Sequence, residues 1–196
     1  MQKFNQIHSL FEHLPANYGE FSDFEQKIAT LAQEMKVDLS LYEIDHLSIR
    51  VNTEDKAKSW LTTLLNYGKI LSNNLVNGRA IYLIELEQPL LFMGQRVFII
   101  ELPFPKNKHY PVESWEHIEF VIPFLPNESS IEWVERVQQQ FLWNQSGNLT
   151  IKVDEPKVDG EQLPNPSIAV SFADKSQNHV CIKVHPFNIK NIIKVS

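Results

Sequence analysis

The chain has 196 residues, 43% of them hydrophobic, and its 18 Lys and Arg against 24 Asp and Glu give a formal net charge of -6 at pH 7. This acidic balance lacks the basic footprint that a phosphate backbone requires, so nucleic acid is not an expected partner. Because Cys181 is the only cysteine and no apolar run reaches the roughly 18 residues of a membrane span, we expect a cytoplasmic protein with no disulfide, secretory signal or membrane contact.

Residues 1–41 predict a helical extension that packs on the core. The first helix is indicated by apolar residues at steps of three and four before Pro15, namely Phe4, Ile7, Phe11 and Leu14. Ser22 and Glu25 have the spacing of a capping box, so a second helix is expected to begin there. Its apolar stripe would consist of Phe24, Ile28, Leu31 and Met35. Neither helix carries side chains that suggest site chemistry.

From residue 43 the apolar pattern changes to a period of two, and residues 42–105 predict a β-α-β-β-β unit. Its first strand is followed by a helix that contains Trp60 and ends at Gly68. The Asn77-Gly78 pair indicates a hairpin turn. The predicted strands of this unit cover residues 43–51, 69–76, 79–86 and 96–102.

Residues 112–190 repeat the same order of elements. The opening strands of the two units, IDHLSIRV at 44–51 and WEHIEFVI at 115–122, are near-repeats with a histidine at the same place. The helix of the second unit contains Trp133, and its remaining strands are expected at 149–153, 167–173 and 179–185. We therefore predict an α+β fold in which duplicated units form a curled mixed sheet with a concave cup, in one compact domain.

One face of this sheet is polar in every predicted strand, because side chains alternate across a strand. This face carries histidines, glutamates and small residues rather than the Lys, Glu, Thr and Gln of an ordinary wet surface. The side chains expected on it are His46, Ser48, Arg50, Glu101, His117, Glu119, Lys183 and His185. By the same alternation, Asp45 and Glu116 are expected on the opposite face, as surface charges at strand starts. A polar cavity explains this composition better than bulk solvent.

These motifs resemble the vicinal-oxygen-chelate superfamily, which includes glyoxalase I, extradiol dioxygenases and bleomycin-resistance proteins. The segment His46-Leu-Ser-Ile-Arg50-Val51 is similar to the His-x-x-x-Arg-Val start of glyoxalase-type first strands. Ile-Glu101-Leu resembles the Ile-Glu-Leu of the fourth strand, and Glu-His117-Ile resembles the Gly-His-Ile that opens the second unit. More narrowly, the whole chain resembles the YecM-like group of bacterial proteins, which shares that fold.

The resemblance implies a metal site with ligands from the first and fourth strands of both units. These positions are His46, Glu101, His117 and, in the last strand, Lys183 or His185. His185 is the expected ligand, since a lysine ammonium must first lose its proton. Such a set suits Zn²⁺, Fe²⁺, Mn²⁺, Co²⁺ or Ni²⁺.

Two side chains beside the expected ligands suggest catalytic roles. Glu119 is the candidate general base, and Arg50 is the candidate group that holds a substrate carboxylate through its guanidinium fork. The resulting hypothesis is a metal-dependent lyase, isomerase or dioxygenase that acts on a small oxygenated molecule, for example a carboxylated one. The alternative is a non-catalytic protein that binds a small ligand in the same cup without metal. Either would work as a monomer or a homodimer, because both units lie in one chain.

Overall fold

The computed structural model describes residues 7–155 and 163–193. Nine β-strands and four α-helices form over these residues. The helices are α1 (Tyr18–Met35), α2 (Glu54–Leu65), α3 (Ser130–Phe141) and α4 (Ile189–Ile193), with short 3₁₀ helices at Ser9–Glu12, Leu39–Leu41 and Trp143–Gln145. The strands are β1 (Glu43–Arg50), β2 (Gly68–Ser72), β3 (Leu75–Val76), β4 (Arg79–Phe92), β5 (Gln95–Pro103), β6 (Ser114–Val121), β7 (Leu149–Asp154), β8 (Ser167–Phe172) and β9 (Cys181–His185).

The strands form one curled, unclosed mixed sheet in the order β2-β4-β5-β1-β6-β9-β8-β7, with β3 paired to β4. In each unit the first strand runs parallel to the last, since β1 pairs with β5 and β6 pairs with β9. The remaining long strands pair antiparallel, β4 with β5 and β2 with β4 in the first unit, and β8 with β9 and β7 with β8 in the second. The antiparallel pair β1–β6 joins the halves at the centre. The predicted α+β fold with a curled mixed sheet is confirmed.

The long N-terminal helix starts earlier than the sequence suggested. Asn17, not Ser22, is its N-cap, and the Asn17 and Glu20 side chains each accept a backbone N–H of the other in a capping box. The earlier start brings Phe21 onto the buried stripe, where its ring contacts Phe92 and Trp115. The predicted capping box at Ser22 is therefore wrong, because tertiary packing of Phe21 selects the start. In the first predicted helix, before Pro15, Phe4 lies outside the residues that the structure describes.

The hydrophobic core lies between the sheet and the three long helices. Helix α1 packs on β6 and β9, and α2 packs on β2, β4 and β5. Trp133 is fully buried and its indole N–H donates to the Ile122 carbonyl at 2.7 Å. Trp143 likewise donates to the Met35 carbonyl at 2.9 Å, which ties the 3₁₀ helix after α3 to the end of α1. Because these three long helices cover the convex face, they leave the concave face of the sheet open.

Gly68 opens β2 rather than ending the preceding helix, which stops at Leu65. A Cβ at this position would lie 2.3 Å from the Glu85 carbonyl oxygen of the neighbouring strand, a backbone atom that cannot move aside. We expect Gly68→Ala to lower the free energy of unfolding by about 1–3 kcal/mol through this clash, measured by urea denaturation. Gly147→Ala is the control, because nothing lies within 4 Å of its added Cβ. Equal stabilities of the two variants would contradict the predicted close approach.

Candidate metal centre

The concave face of the sheet encloses a cavity of about 480 Å³. Its floor is formed by the central strands β1, β5, β6 and β9, which contribute the ionisable residues. Those on the cavity wall include Arg50, Glu101, Glu116, Glu119, Lys183 and His185. His46 and His117 lie beneath them with 0% exposure, inside the same cluster of charges.

Two β-bulges between β1 and β6 shape this floor. Ile44 pairs with Phe120 but His46 pairs with Glu119, so Asp45 is an extra residue in β1. The register shifts back between Ser48 and Ile49, and there Glu116 is the extra residue in β6. A bulge sets two consecutive residues against one partner residue, and here it turns both towards the cup.

Asp45 and Glu116 therefore lie on the same face as the histidines that follow them, and their predicted surface location is wrong. Asp45 Oδ1 lies 3.4 Å from His46 Nδ1, and Asp45 is only 5% exposed. The Nδ1 atom of His117 hydrogen-bonds the Glu116 carboxylate. Glu116 thus hydrogen-bonds the Nδ1 atom of His117, whereas Asp45 Oδ1 lies beside the Nδ1 atom of His46 without a hydrogen bond between them. Both acids leave Nε2 for other partners. A carboxylate in this position fixes the tautomer and ring orientation of a metal-ligating histidine.

Both free Nε2 atoms point at the same two carboxylates. His46 Nε2 lies 3.7 Å from Glu101 and 3.5 Å from Glu119. His117 Nε2 lies 3.6 Å from each of these two glutamates. A tetrahedral metal with bonds of about 2.0–2.2 Å separates neighbouring ligand atoms by about 3.3–3.6 Å. These four distances are nearly those between neighbouring metal ligands, and the ligand atoms of His46, Glu101 and His117 all lie within 4.8 Å of one another.

The two Nε2 atoms also lack hydrogen bonds, although both are fully buried. Within the described residues, neither His46 Nε2 nor His117 Nε2 has a hydrogen-bond partner. Buried polar atoms are rarely left unpaired, because desolvation without a new partner costs free energy. A cation between the two rings and the two carboxylates would supply the missing partner. The donor set of two imidazoles and two carboxylates suits a divalent transition metal.

His185 occupies a different position from the one implied by the resemblance. Its Nε2 donates to Asp45 Oδ2 at 2.8 Å, and its Nδ1 lies 3.3 Å from Glu119 Oε2. Asp45 Oδ2 also accepts the backbone N–H of Ile189, the first residue of α4. Asp45, His46 and His185 form a second group whose ligand atoms lie within 4.8 Å of one another. In that group, however, His185 Nε2 and Asp45 Oδ2 already bond each other.

Electrostatics keep the carboxylates ionised despite their burial. Burial raises the pKa of Glu119, but His46 and His185 outweigh it and the pKa lies well below its usual range. Burial also opposes ionisation of Glu116, where His117 and Arg50 lower the pKa. For His46, burial lowers the pKa but Asp45 and Glu119 raise it well above the ordinary value.

The charges of the site do not balance when its histidines are neutral. Four carboxylates, those of Asp45, Glu101, Glu116 and Glu119, face the two cations Arg50 and Lys183. The remaining charge of minus two equals the charge that a divalent cation would neutralise. Without a metal, protons on the histidines would have to compensate it.

All six side chains predicted from sequence to form the site do meet on the concave face. His46, Glu101, His117 and Glu119 surround one point, and His185 lies behind Glu119. Sequence reasoning missed the participation of Asp45 and Glu116, and also Ser48, whose hydroxyl donates to Glu101 Oε1 at 2.7 Å.

Comparison with known proteins adds the family. The sequence matches the family described as YecM protein over residues 13–196. The chain belongs to the YecM family. A Haemophilus influenzae protein described as uncharacterized is 62% identical to it over 188 residues, which are 96% of this chain and 97% of that protein. Protein YecM of Escherichia coli K12 is 31% identical over 170 residues, 87% of each chain.

The fold of this YecM-family chain also matches a solved structure described as "Structural Genomics, Protein EC4020". The two agree with a TM-score of 0.75 at 27% identity, over 97% of this chain and 98% of that one. The resemblance to YecM-like bacterial proteins is therefore confirmed. Among the helices of residues 7–155 and 163–193, none is long and apolar enough to cross a membrane.

Proposed function

We propose that this YecM-family chain binds one divalent transition metal through His46, His117, Glu101 and Glu119. One observation carries the proposal: two buried Nε2 atoms without hydrogen bonds face two carboxylates at 3.5–3.7 Å. With neutral histidines, the surrounding ion pairs leave a charge of minus two, which a dication would neutralise. We also assign the fold to the vicinal-oxygen-chelate superfamily, with one departure in the proposed ligand set: the second unit supplies both of its ligands from β6 and none from β9.

The remaining charged residues hold these four in place. Asp45 and Glu116 orient the two imidazole rings through Nδ1. Ser48 donates to Glu101, so that this carboxylate keeps one oxygen towards His46. His185 lies between Glu119 and Asp45, and we assign it the role of positioning Glu119. The sequence-based assignment of His185 as a ligand thus gives way to Glu119 in this proposal.

For catalysis, the proposed activity is that of a metal-dependent lyase, isomerase or dioxygenase. A bound dication would polarise neighbouring oxygens of a substrate and stabilise negative charge that develops on them. Glu119 Oε2, the oxygen that faces His185 Nδ1 at 3.3 Å, is placed to accept a proton from a substrate. Passed on to His185 Nδ1, that proton would leave Glu119 ionised and form an imidazolium that the hydrogen bond to Asp45 stabilises. The cavity above these residues has room for a small molecule.

A second candidate function is metal-free ligand binding in the same cup. The observation that favours it is the raised pKa of His46, whose burial is outweighed by Asp45 and Glu119. A proton on this ring would supply part of the positive charge that the carboxylates require. In that case the cup would be a non-catalytic binding site for a small ligand.

Metal content distinguishes the two functions. Untagged protein purified without chelator should contain about one equivalent of a divalent transition metal by elemental analysis. The His46→Ala/His117→Ala variant should contain none, because it loses both imidazole ligands. Its matched control is His13→Ala/His109→Ala, which removes two exposed histidines and should keep the metal. A parent protein that remains metal-free after soaking with Zn²⁺, Mn²⁺, Ni²⁺ and Fe²⁺ would contradict the metal proposal.

A further inference from the structure

The second half of the cup extends the proposed metal centre with a row of residues that includes two lysines. Strand pairing sets His46 beside Glu119, Glu119 beside Lys183, Lys183 beside Ala169, and Ala169 beside Lys152. Neighbouring strands lie about 4.8 Å apart, so Lys183 is one such step from Glu119 and Lys152 is about 14 Å away. A small molecule that reaches the metal centre would lie along this row.

Small side chains keep this half of the cup open. Ala169 and Ser171 of β8 and Ser167 at its start line the cavity, and Thr150 of β7 lies beyond them. None of these side chains fills the space above β8. The cavity therefore extends from the metal centre over β8 towards β7.

The same cavity is rich in cations although the whole chain is acidic. Among the described residues, six basic side chains line it: Arg50, Arg79, Lys108, Lys152, Lys175 and Lys183. Its acidic lining residues are the three glutamates of the metal centre and Asp154, which lies 3.8 Å from Lys152. Three of these four carboxylates thus lie on the floor, whereas four of the six cations, Arg79, Lys108, Lys152 and Lys175, lie outside the floor strands. Such a field attracts an anion from solution.

Apolar residues form the wall opposite the lysine row. Ile81 and Leu83 of β4 and Ile189 and Ile192 of α4 line the cavity there. Helix α4 is held over the cup by the hydrogen bond from the Ile189 N–H to Asp45. A ligand with a flat or aliphatic body would bury apolar surface against this wall.

We propose that the cup binds a small organic anion with an apolar body, whose carboxylate or phosphate pairs with Lys183 and Lys152. The end of such a ligand near Glu119 would meet the proposed metal centre, and that part rests on the proposed function, whereas the anion site rests on the lysine row itself. Lys183 has a 26% exposed side chain and only one described ion pair, to Glu119 at 3.8 Å, so its ammonium has donors left for a ligand.

The test uses three probes that share one ring: 3,4-dihydroxybenzoate, catechol, which lacks the carboxylate, and benzoate, which lacks the neighbouring hydroxyls. Binding to zinc-loaded protein is measured by calorimetry, and metal content is checked on the same samples. We expect 3,4-dihydroxybenzoate to bind at least about tenfold more tightly than catechol, because a charge-assisted contact is added. Phenylphosphonate in place of benzoate shows whether the lysines prefer a phosphate-type or a carboxylate group.

Two lysine variants test whether these side chains cause the tighter binding of 3,4-dihydroxybenzoate. Lys183→Met should reduce 3,4-dihydroxybenzoate binding towards the level of catechol. Because the Lys183 ammonium also lies 3.8 Å from Glu119, the metal content and catechol affinity of this variant are measured alongside, and the loss is expressed relative to its own catechol affinity. Lys152→Met, which is farther from the metal ligands, should reduce the affinity for 3,4-dihydroxybenzoate about threefold. This effect should become smaller at high salt. Lys58→Met on the exposed face of α2 is the control and should change nothing.

The outcomes separate this inference from the metal proposal. If catechol binds zinc-loaded protein but the carboxylate adds nothing, the anion site is overturned and the metal centre stands. If the protein takes up no metal yet binds benzoate in a manner lost in Lys183→Met, the anion site is supported and the metal centre fails. Equal binding of all probes to both lysine variants and the parent protein would overturn the inference.

Discussion

Replacing Glu119 with glutamine is expected to weaken metal binding by more than about 100-fold, because it removes a proposed ligand rather than a residue behind one. Glu119 Oε1 lies 3.5 Å from His46 Nε2 and 3.6 Å from His117 Nε2, at the point where both rings converge. Glutamine keeps the shape of the side chain and loses its charge. Competition with a coloured chelator measures the change in affinity.

His185→Gln is the matched comparison, since it alters the residue that contacts the other Glu119 oxygen at 3.3 Å. We expect a loss of about tenfold, the lower end of what removing an outer partner of a metal ligand costs. A larger loss for His185→Gln than for Glu119→Gln would reverse the assignment and make His185 the ligand, as the resemblance implied. Circular dichroism of both variants checks that the fold is retained.

The bulges explain why the acid-histidine pairs occur twice. In each pair the acid is the extra residue of a bulge, so acid and histidine share a face that a regular strand would divide between them. The two bulges lie on opposite sides of the central pair Leu47–Ile118, one in β1 and one in β6. The duplicated units therefore supply two equivalent imidazoles, each with its own orienting carboxylate, to one point between them.

Periodicity predicted the strands of the fold but not these bulges. Alternation over 43–51 and 115–122 gave the correct strands, because one face of each packs against the helices. A bulge depends on the partner strand, which no single strand reveals. A signal was nevertheless present: two consecutive polar residues, Asp45 and His46, separate Ile44 from Leu47, and this interrupts the alternation. The same interruption occurs between Trp115 and Ile118.

The sequence also could not predict how close Glu101 and His185 lie to the two Nε2 atoms, because this too depends on pairing between strands. The parallel register of β1 and β5 sets Glu101 beside Ser48 and therefore one strand from the bulged histidines. His185 lies on the last strand opposite Val121, beyond the row that contains Glu119, so it reaches Asp45 and the outer oxygen of Glu119. Sequence could place both residues on the cup face. Only the register decides which of them approaches the Nε2 atoms.

Arg50→Met is expected to lower the free energy of unfolding of the metal-free protein by about 3–5 kcal/mol, because it leaves two largely buried carboxylates without their cation. Arg50 Nε lies 3.5 Å from Glu116, and its Nη1 lies 3.9 Å from Glu101. The Arg50 side chain is 9% exposed and that of Glu116 is 19% exposed, so solvent offers these carboxylates little replacement. Urea denaturation in the presence of a chelator measures the effect, and Arg96→Met, an exposed arginine of β5, is the control.

The double variant Arg50→Met/Glu116→Gln identifies the cause. Removing the Glu116 charge should restore part of the lost stability, since fewer buried carboxylates then lack a cation, and the two substitutions should be clearly non-additive. Arg50 would instead be the ligand-binding fork suggested by the sequence if Arg50→Met unfolds like the parent protein and loses affinity for benzoate. These two results cannot both occur, because the first requires Arg50→Met to unfold more readily than the parent protein and the second requires it to unfold like the parent protein.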